Sequence, residues 1–301
     1  KQKTAYEIST RDWSSDVCSS DLLMIAAMST GWAVVTAAVA GLLIGSFLNV
    51  VIHRLPRMLE RQWQDDAAAV RGEPVAHADR YDLIAPRSHC PACGQSLRLR
   101  HLIPVASWIA LAARCAACRA PISIRYPLIE LATAALFALC VVRFQISAAA
   151  PAAMLLVAVL LVAAVIDFDT RLLPDALTLP LLWAGLLVNL GHVFVPLDEA
   201  VVGAIAGYLS LWSIHHAFRL ATGREGMGYG DFKLLAAIGA WLGWQPLAAV
   251  VVLACASGAG FAVLGGLAGL RDLRAPIAFG PWLAAAGLIA LFSQPMLAHW
   301  L

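Results

Sequence analysis

Long stretches of apolar residues with few or no charges are the feature that most constrains how this chain can fold. Eight such runs follow one another after residue 22, separated by short polar or charged segments. A helix of about 20 apolar residues is long enough to cross the hydrocarbon core of a bilayer. We predict spans at approximately 31–52, 127–143, 151–168, 176–195, 199–218, 232–246, 247–269 and 277–297.

The amino-acid composition agrees with a lipid solvent. Apolar residues make up 61% of the 301 residues and charged residues 13%, whereas an ordinary soluble domain has roughly 45–50% and about 25%. A soluble chain of this size could hardly bury that much apolar surface in one core. The sequence therefore predicts an all-α polytopic membrane protein with about eight transmembrane helices.

The distribution of basic residues predicts the orientation of these helices. With eight spans and the N-terminus outside, the segments 53–126, 169–175, 219–231 and 270–276 lie on one side. Eleven of the 18 lysines and arginines after residue 22 fall in the first of these segments, and six more lie in or beside the other three. Basic residues are retained on the cytosolic side of membrane spans. We therefore expect these loops to be cytosolic and both termini periplasmic.

Four cysteines in the first loop form two pairs with metal-ligand spacing. Cys90 and Cys93 are followed after 21 residues by Cys115 and Cys118, so that the pattern is C-x2-C, a spacer and C-x2-C. Such pairs supply four thiolates to one tetrahedral structural Zn²⁺. Two disulfides or unrelated thiols are the alternatives, and a reducing cytosolic loop favours the metal. We predict a small cytosolic zinc-ribbon-like loop domain.

Two acidic clusters stand at membrane boundaries, where charged groups are costly and are functional candidates by default. Asp167 directly follows the uncharged run 151–166, and Asp231 opens the sixth span. The predicted topology therefore brings both to the same end of the bundle. Two carboxyls held close cannot both ionise easily, which is the requirement of aspartyl peptide hydrolysis. Alternatively, Asp167 caps a helix or pairs with Arg171, and Asp231 is a helix N-cap or a first-turn charge beside Lys233.

Two more acids accompany the first of these aspartates. Asp169 and Asp175 lie further out, in the polar turn that follows the third span. A carboxylate near a helix start can cap the helix or fix the turn before it. We expect Asp169 and Asp175 to orient this turn or to cap the fourth span and not to be catalytic.

These motifs resemble those of the type IV prepilin peptidases. The segment from Asp167 to Asp175 is similar to the D-x-D-x-x-x-L-P-D segment of that family, and Gly228 to Lys233 is similar to its G-x-G-D-x-K segment. Further similarity extends over the amino-terminal motif and the flanks of the cysteine loop, in residues 45–56, 103–108 and 125–130. Departures from the family pattern occur in the loop, at residues 99–102 and 112–113.

The resemblance implies a membrane aspartic endopeptidase that removes the leader of prepilins and pseudopilins on the cytosolic side. It implies that Asp167 and Asp231 are the catalytic pair. Cysteine-containing members usually also methylate the new N-terminus with S-adenosylmethionine, although no motif here identifies the methyl-donor site. The expected partners are prepilin or pseudopilin substrates and the lipid bilayer, with no nucleic acid, and the expected location is the bacterial inner membrane.

These expectations divide the chain into four parts. Residues 1–22 are polar and unlike the remainder, and we expect a foreign or disordered prefix there. The first transmembrane helix follows at 23–52, the cytosolic cysteine-rich loop domain at 53–126 and the membrane peptidase domain at 127–301.

Some polar residues within the spans keep more than one interpretation. Glu130 could bind the amine of a substrate or stabilise Arg125, and the sequence does not distinguish these roles. His215 and His216 could suggest metal binding or proton transfer, but adjacent residues point to different helix faces, which favours an interfacial structural role.

Two functions from other classes compete with the peptidase. Membrane carboxylates also mark ion and proton pathways, so a coupled transporter with a regulatory zinc loop is one alternative. Transport acids should lie near the bilayer midplane, whereas Asp167 and Asp231 fall at a predicted edge. The other alternative is a scaffold whose zinc loop binds a secretion-machine partner.

Overall fold

The computed structural model describes a helical chain whose secondary structure is almost entirely α-helix. The residues that it describes are 14–74, 77, 79–224, 226–269 and 277–293, with side chains in the first helix from residue 30 onward. Of the predicted prefix, residues 1–13 lie outside the described residues, and residues 14–22 begin the first helix. The predicted all-α fold is confirmed.

Nine α-helices are found in the described part of the chain. They are α1 (Ser14–Arg71), α2 (Ala106–Ala110), α3 (Arg125–Phe144), α4 (Ala149–Thr170), α5 (Asp175–Asn189), α6 (Leu197–Thr222), α7 (Tyr229–Leu242), α8 (Leu247–Leu267) and α9 (Gly280–Ser293). One 3₁₀ turn, Leu99–Leu102, precedes α2.

Each of the eight predicted spans overlaps one of these helices, and residues 294–297 of the last span, like the predicted loop 270–276, lie outside the described residues. Five helices in the described residues are long and apolar enough to cross a membrane, namely α1, α3, α4, α6 and α8. Helices α5, α7 and α9 are shorter, with 15, 14 and 14 residues. The chain is therefore a multi-pass membrane protein, and the number of eight crossings stays a prediction.

Helix α1 does not end where its predicted membrane span ends. It continues through Pro56 to Arg71, so the first part of the predicted loop is helical. The chain then turns back, and the buried guanidinium of Arg54 donates hydrogen bonds to the carbonyls of Asp82 at 2.8 Å and Pro86 at 2.6 Å. Polar contacts thus hold the returning chain against the base of the helical extension.

The far end of the loop is also attached to α1. The buried amide of Asn49 donates to the carbonyl of Tyr126 at 3.1 Å, next to the first residue of α3. Asn49 and Arg54 both belong to the amino-terminal motif of residues 45–56. Through these two residues, the motif therefore holds both ends of the loop against helix α1.

Helix α7 is the most enclosed helix among those described, although it is one of the shortest. Every residue from Phe232 to Leu242 except Lys233 is buried, and α7 packs against α5, α6 and α9. The indole N–H of Trp241 donates to the carbonyl of Leu181 in α5 at 2.8 Å. One end of this enclosed helix carries Asp231.

A single buried amide closes the other end of α7. The side chain of Asn189 donates to the carbonyls of Ala240 and Trp241 at 2.9 and 3.1 Å, and it accepts from the backbone N–H groups of Phe194 and Val195. The last carbonyls of a helix have no partner within the helix, and an unsatisfied carbonyl is costly in an apolar environment. Asn189 supplies that partner.

Glycines allow α6 and α7 to approach at backbone distance. A Cβ atom on Gly207 would lie 2.6 Å from the carbonyl oxygen of Leu235, and one on Gly203 or Gly239 would overlap the backbone of the other glycine. Small residues at such crossings are typical of helix packing in membranes, where van der Waals contact replaces the hydrophobic driving force. The position of α7 depends on this close contact between the backbones of α6 and α7.

We predict that Gly239→Ala lowers the stability of the helix bundle. The added methyl group would overlap Gly203, and overpacking of a close-packed interior typically costs about 1–3 kcal/mol. Gly260→Ala is the matched control, because this helical glycine in α8 has no atom within 4 Å of its Cβ position. Thermal unfolding in detergent should show a lower midpoint for Gly239→Ala alone. Equal midpoints for the two variants would contradict this close packing.

Candidate active site

Asp167 lies in the last turn of α4, and its carboxylate is directed toward the start of α9. The side chain is buried, and its Oδ2 accepts a hydrogen bond from the backbone N–H of Gly280 at 2.9 Å. A helix N-terminus is a favourable place for a negative charge, because its N–H groups are unsatisfied and its dipole is positive there. Helix α9 therefore supplies the partner of this carboxylate.

Of the two alternatives for Asp167, the structure shows a capping contact, because its Oδ2 accepts from the N–H of Gly280 at the start of α9, but no ion pair with Arg171 is found among the described residues. Helix α4 ends because Arg171 adopts a left-handed conformation with φ of 57°, and its backbone N–H donates to the carbonyl of Asp167 at 2.8 Å. The only contact of Arg171 with Asp167 that we find is this backbone bond. The carboxylate itself contacts another helix.

Asp231 lies in the first turn of α7 and is buried like Asp167. The N-cap of α7 is Gly228, which makes no side-chain cap. Within the described residues, the Oδ1 atom of Asp231 has no hydrogen-bond partner, and the neighbouring Lys233 pairs with a different acid. A buried polar atom without a partner is unusual and calls for an explanation.

The two carboxyl groups are close enough to interact electrostatically. Leu173, in the turn between α4 and α5, lies between the elements that carry them. A Cβ on Gly230 would lie 2.6 Å from Cβ of Leu173, and one on Gly280 would lie 2.7 Å from Oδ2 of Asp167. Side chains at these two glycines would push α7 and α9 away from the turn, so the proximity of the two acids depends on them.

The other two acids of the first motif are held in ion pairs around this centre. The Nζ atom of Lys233 lies 2.6 and 2.7 Å from the carboxylate oxygens of Asp175, which joins α7 to the start of α5. Asp169 pairs with Arg125 at the start of α3. Both acids are more exposed than the central pair, as expected of residues that orient the surrounding turn.

Taken together, these contacts define a site with two distinct kinds of carboxylate. Asp169 and Asp175 form ion pairs with basic residues. Asp167 and Asp231 have no basic partner among the described residues, and both are buried. Two such groups can share one proton, so that one acts as an acid while the other acts as a base.

The four cysteines of the loop converge as the spacing predicted. Their sulfur atoms all lie within 4.8 Å of one another, which is the arrangement of a group able to hold one metal ion. None of the four is in a disulfide. The backbone N–H groups of Cys118 and Ala117 lower the pKa of the Cys115 thiol to about 6, whereas hydrogen bonds with the neighbouring cysteines raise the pKa of the Cys118 thiol to about 11.

The two cysteine pairs belong to a longer structural repeat, which the sequence analysis did not identify. Each backbone hydrogen bond around the first cysteine pair, the first knuckle, recurs 25 positions later around the second pair, the second knuckle. The bonds from Cys90 N–H to Gln95 O and from Leu97 N–H to Ser88 O correspond to bonds that the N–H groups of Cys115 and Ile122 donate. Gly94 and Arg119 occupy equivalent positions with φ of 69° and 61°. Gly94 therefore indicates the positive-φ turn of the first knuckle in the sequence, whereas Arg119, at the equivalent position of the second, does not.

Glu130 has a partner that neither interpretation from the sequence included. Its buried carboxylate accepts a hydrogen bond from the backbone N–H of Val105 at 2.7 Å, just before α2. Arg125 pairs with Asp169 instead of Glu130. Glu130 therefore joins the cysteine loop to α3.

The two adjacent histidines of α6 face in different directions, as predicted. His215 is buried against the rings of Tyr229 and Phe232 in the first turn of α7. His216 is half-buried and stacks on Trp212. Neither joins a metal-binding group among the residues searched.

Gly280 and Leu173 are the parts of the site that sequence reasoning missed. The dipeptide Gly280-Pro281 opens the last span, and a glycine followed by proline is a common signal of a helix start. That signal predicts the helix boundary but not the contact with Asp167. The contact becomes apparent only when α4 and α9 are placed side by side.

Comparisons with known proteins identify the family of the chain. The profile of the bacterial peptidase A24 N-terminal domain matches residues 39–144, and that of the type IV leader peptidase family matches residues 154–263. No solved structure matches the chain significantly.

Three similar proteins carry the name prepilin leader peptidase/N-methyltransferase. That of Burkholderia pseudomallei (strain 1026b) is 52% identical over 274 residues, covering 90% of this chain and 89% of the relative. That of Dickeya chrysanthemi is 52% identical over 252 residues, covering 83% and 89%. That of Pseudomonas putida is 48% identical over 272 residues, covering 88% and 92%.

We predict that Gly230→Ala destabilises the bundle at the aspartate site. Its Cβ would contact Leu173 at 2.6 Å, so either the turn or the start of α7 must move, with a typical cost of about 1–3 kcal/mol. Gly228→Ala, two residues earlier, has no neighbour within 4 Å and serves as the control. The thermal unfolding midpoint in detergent should fall for Gly230→Ala and change little for Gly228→Ala. A midpoint for Gly230→Ala equal to that of the unaltered chain would show that Leu173 does not limit this approach.

Proposed function

Because the chain belongs to the type IV leader peptidase family, we propose that Asp167 and Asp231 are the catalytic pair with which it cuts its substrate. The chain is a membrane aspartic endopeptidase that cleaves the leader peptide of type IV prepilins and N-methylates the new N-terminus. Neither the family nor these relatives support a transporter.

The observation that carries this assignment is the contrast among the four acids of the site. Asp169 and Asp175 are joined to basic residues, whereas Asp167 and Asp231 are buried, near each other and without a basic partner in the described part of the chain. A structural acid in an apolar setting is normally paired. An unpaired buried couple is the arrangement that aspartyl hydrolysis uses.

Peptide hydrolysis by this couple follows from the sharing of one proton. The ionised carboxyl removes a proton from a water molecule as that water attacks the carbonyl carbon of the scissile bond. The protonated carboxyl donates its proton toward the carbonyl oxygen and so stabilises the tetrahedral intermediate. Transfer of a proton to the leaving amine then allows the C–N bond to break. The N–H of Gly280 holds Asp167 in place throughout.

The substrate reaches this couple from the end of the bundle where the basic loops lie. Arg125, Lys233 and the cysteine loop are all at this end, and basic loops are retained in the cytosol. We assign cleavage to the cytosolic face of the bacterial inner membrane and the substrates to prepilins and pseudopilins. Gly228, with open space at its Cβ position, leaves room for an extended peptide beside Asp231.

The cysteine cluster fits a structural Zn²⁺. Four thiolates complete a tetrahedral site and leave no open coordination position, so the ion would order the loop and perform no chemistry. Cys90, Cys93, Cys115 and Cys118 would hold it. The methyl donor that we assign is S-adenosylmethionine, in keeping with the name of the relatives, and the residues that bind it are not assigned.

We predict that Asp167→Asn and Asp231→Asn each abolish leader cleavage while membrane insertion continues. An amide keeps the shape of the carboxyl but can neither accept nor donate the catalytic proton, and general acid–base catalysis contributes about 10²–10⁴-fold to a rate. The measurement is conversion of a prepilin to its shorter form in membranes.

The matched control for these variants is Asp198→Asn. Asp198 is exposed in the first turn of α6, at the opposite end of that helix from the site, and this change should leave cleavage intact. Substantial cleavage by either Asp167→Asn or Asp231→Asn would remove that aspartate from the catalytic role.

We predict about one zinc ion per chain, held by the cysteine loop. In Cys90→Ser/Cys93→Ser the ion should be lost, because two of its four ligands are gone, and the loop should unfold while the helices remain inserted. Elemental analysis of purified protein checks the metal content. Cys255→Ser is the control, since Cys255 is exposed on α8 and its loss should leave the zinc content unchanged. Active, metal-free protein with two disulfides would contradict both the zinc site and the cytosolic placement.

A further inference from the structure

The segment from Leu99 to Leu111, which comprises the 3₁₀ turn and α2, exposes an unusual amount of apolar surface. The exposed fractions are 86% for Leu99, 53% for Ile103 and 65% for Ile109. No residue of the 3₁₀ turn or of α2 is buried. Exposed apolar residues that lie together mark a surface that contacts something other than water. The segment is named the α2 segment below.

The position of the α2 segment relative to the membrane follows from Glu130. Glu130 is five residues after Arg125, the first residue of α3, which corresponds to about 7 Å along the helix axis. Its carboxylate accepts a hydrogen bond from the N–H of Val105. Helical side chains lean back toward the helix N-terminus. The α2 segment therefore lies beside the first turns of a helix that is long and apolar enough to cross the membrane.

The surface of α3 at this level faces outward and is apolar. Tyr126, Leu128 and Leu131 are all exposed on the first turns of α3. Exposed apolar residues on a membrane span face lipid. The apolar surface of the α2 segment thus lies at the same level as a lipid-facing surface and adjoins the element that carries it.

A second contact brings the loop back to the membrane. The extension of α1 carries the chain away from the bundle, but Arg54 holds the carbonyls of Asp82 and Pro86. Arg54 lies two residues after the end of the predicted span. The chain has therefore returned to the membrane boundary before the first cysteine knuckle begins.

Positive charges surround the apolar residues of the α2 segment. Arg98 and Arg100 lie in or beside the 3₁₀ turn, and Arg114 and Arg119 lie in the second knuckle, and all four are exposed. No carboxylate in the described parts of the chain forms an ion pair with any of them. Apolar residues together with unpaired arginines are typical of segments that lie in the interface of an anionic leaflet.

We propose that the α2 segment lies in the interface of the cytosolic leaflet, with lipid acyl chains against Ile103 and Ile109 and anionic lipid headgroups at Arg98 and Arg100. Interfacial segments typically place their apolar face about 5–10 Å into the headgroup region, in agreement with the depth that Glu130 sets. The metal-binding loop is thereby attached to the bilayer as well as to the helices.

Site-specific photocrosslinking in lipid nanodiscs tests this proposal with the full-length chain. A benzophenone side chain is introduced at position 109, and after illumination the adducts are identified by mass spectrometry in discs that contain equal amounts of phosphatidylcholine and phosphatidylglycerol. Position 131, exposed on α3, is the lipid-contact control. Position 70, which is 89% exposed near the end of the α1 extension, is the aqueous control.

We expect lipid adducts at position 109 with a yield comparable to that at position 131 and clearly above that at position 70. The Arg98→Gln/Arg100→Gln variant should show a smaller share of phosphatidylglycerol among the adducts at position 109, because its anionic headgroup loses two cationic contacts. A yield at position 109 no greater than at position 70 would overturn the proposal.

The same experiment separates lipid from a protein partner. If a prepilin added to the discs forms adducts at position 109 and no lipid adducts form there without it, the surface is a substrate-docking site and the proposal is wrong. An unchanged lipid composition of the adducts in Arg98→Gln/Arg100→Gln would contradict the assignment of anionic headgroups to these arginines. None of these outcomes depends on peptidase activity.

Discussion

The anchoring of α7 at its two ends is the constraint on which the rest of the structure depends. A lipid environment offers no water to the free carbonyls of a short helix. At the far end, Asn189 donates two hydrogen bonds to the last carbonyls of α7 and accepts two from the N–H groups of Phe194 and Val195. At the near end, the ion pair of Lys233 with Asp175 fixes the first turn against α5. Because α7 is held at both ends, the position of Asp231 is fixed as well.

The chemistry of the site follows from what surrounds this fixed helix. Glycines at 230 and 280 let the turn after α4 approach both α7 and α9, and α9 contributes the N–H that binds Asp167. Both carboxyl groups are buried without a basic partner in the described part of the chain, while Arg125 and Lys233 form ion pairs with the acids further out.

The sequence predicted the helical fold, the positions of all eight apolar helices and the cysteine cluster, because each leaves a local signal in residue type and spacing. It placed Asp169 and Asp175 in the turn after the third span, whereas Asp169 lies in the last turn of α4 and Asp175 is the first residue of α5. It did not predict the contact of Gly280 with Asp167 or of Glu130 with Val105, because such contacts arise from helix packing and from no periodic pattern. The helical extension of α1 was missed for another reason: its polar residues were assigned to a loop, although they also favour an exposed helix. The catalytic role of the aspartates stays a prediction that mutagenesis must test.

The extension of α1 also has a mechanical consequence. From Ile52 to Arg71 the helix projects about 28 Å beyond the predicted membrane boundary, and it is continuous with the span. Transmembrane helices change tilt when the thickness of the bilayer changes, and a tilt of about 10° would displace the tip of such a rod by about 5 Å. A change in the tilt of the first span would therefore move the far end of this extension more than its base, where Arg54 holds the returning chain by two hydrogen bonds.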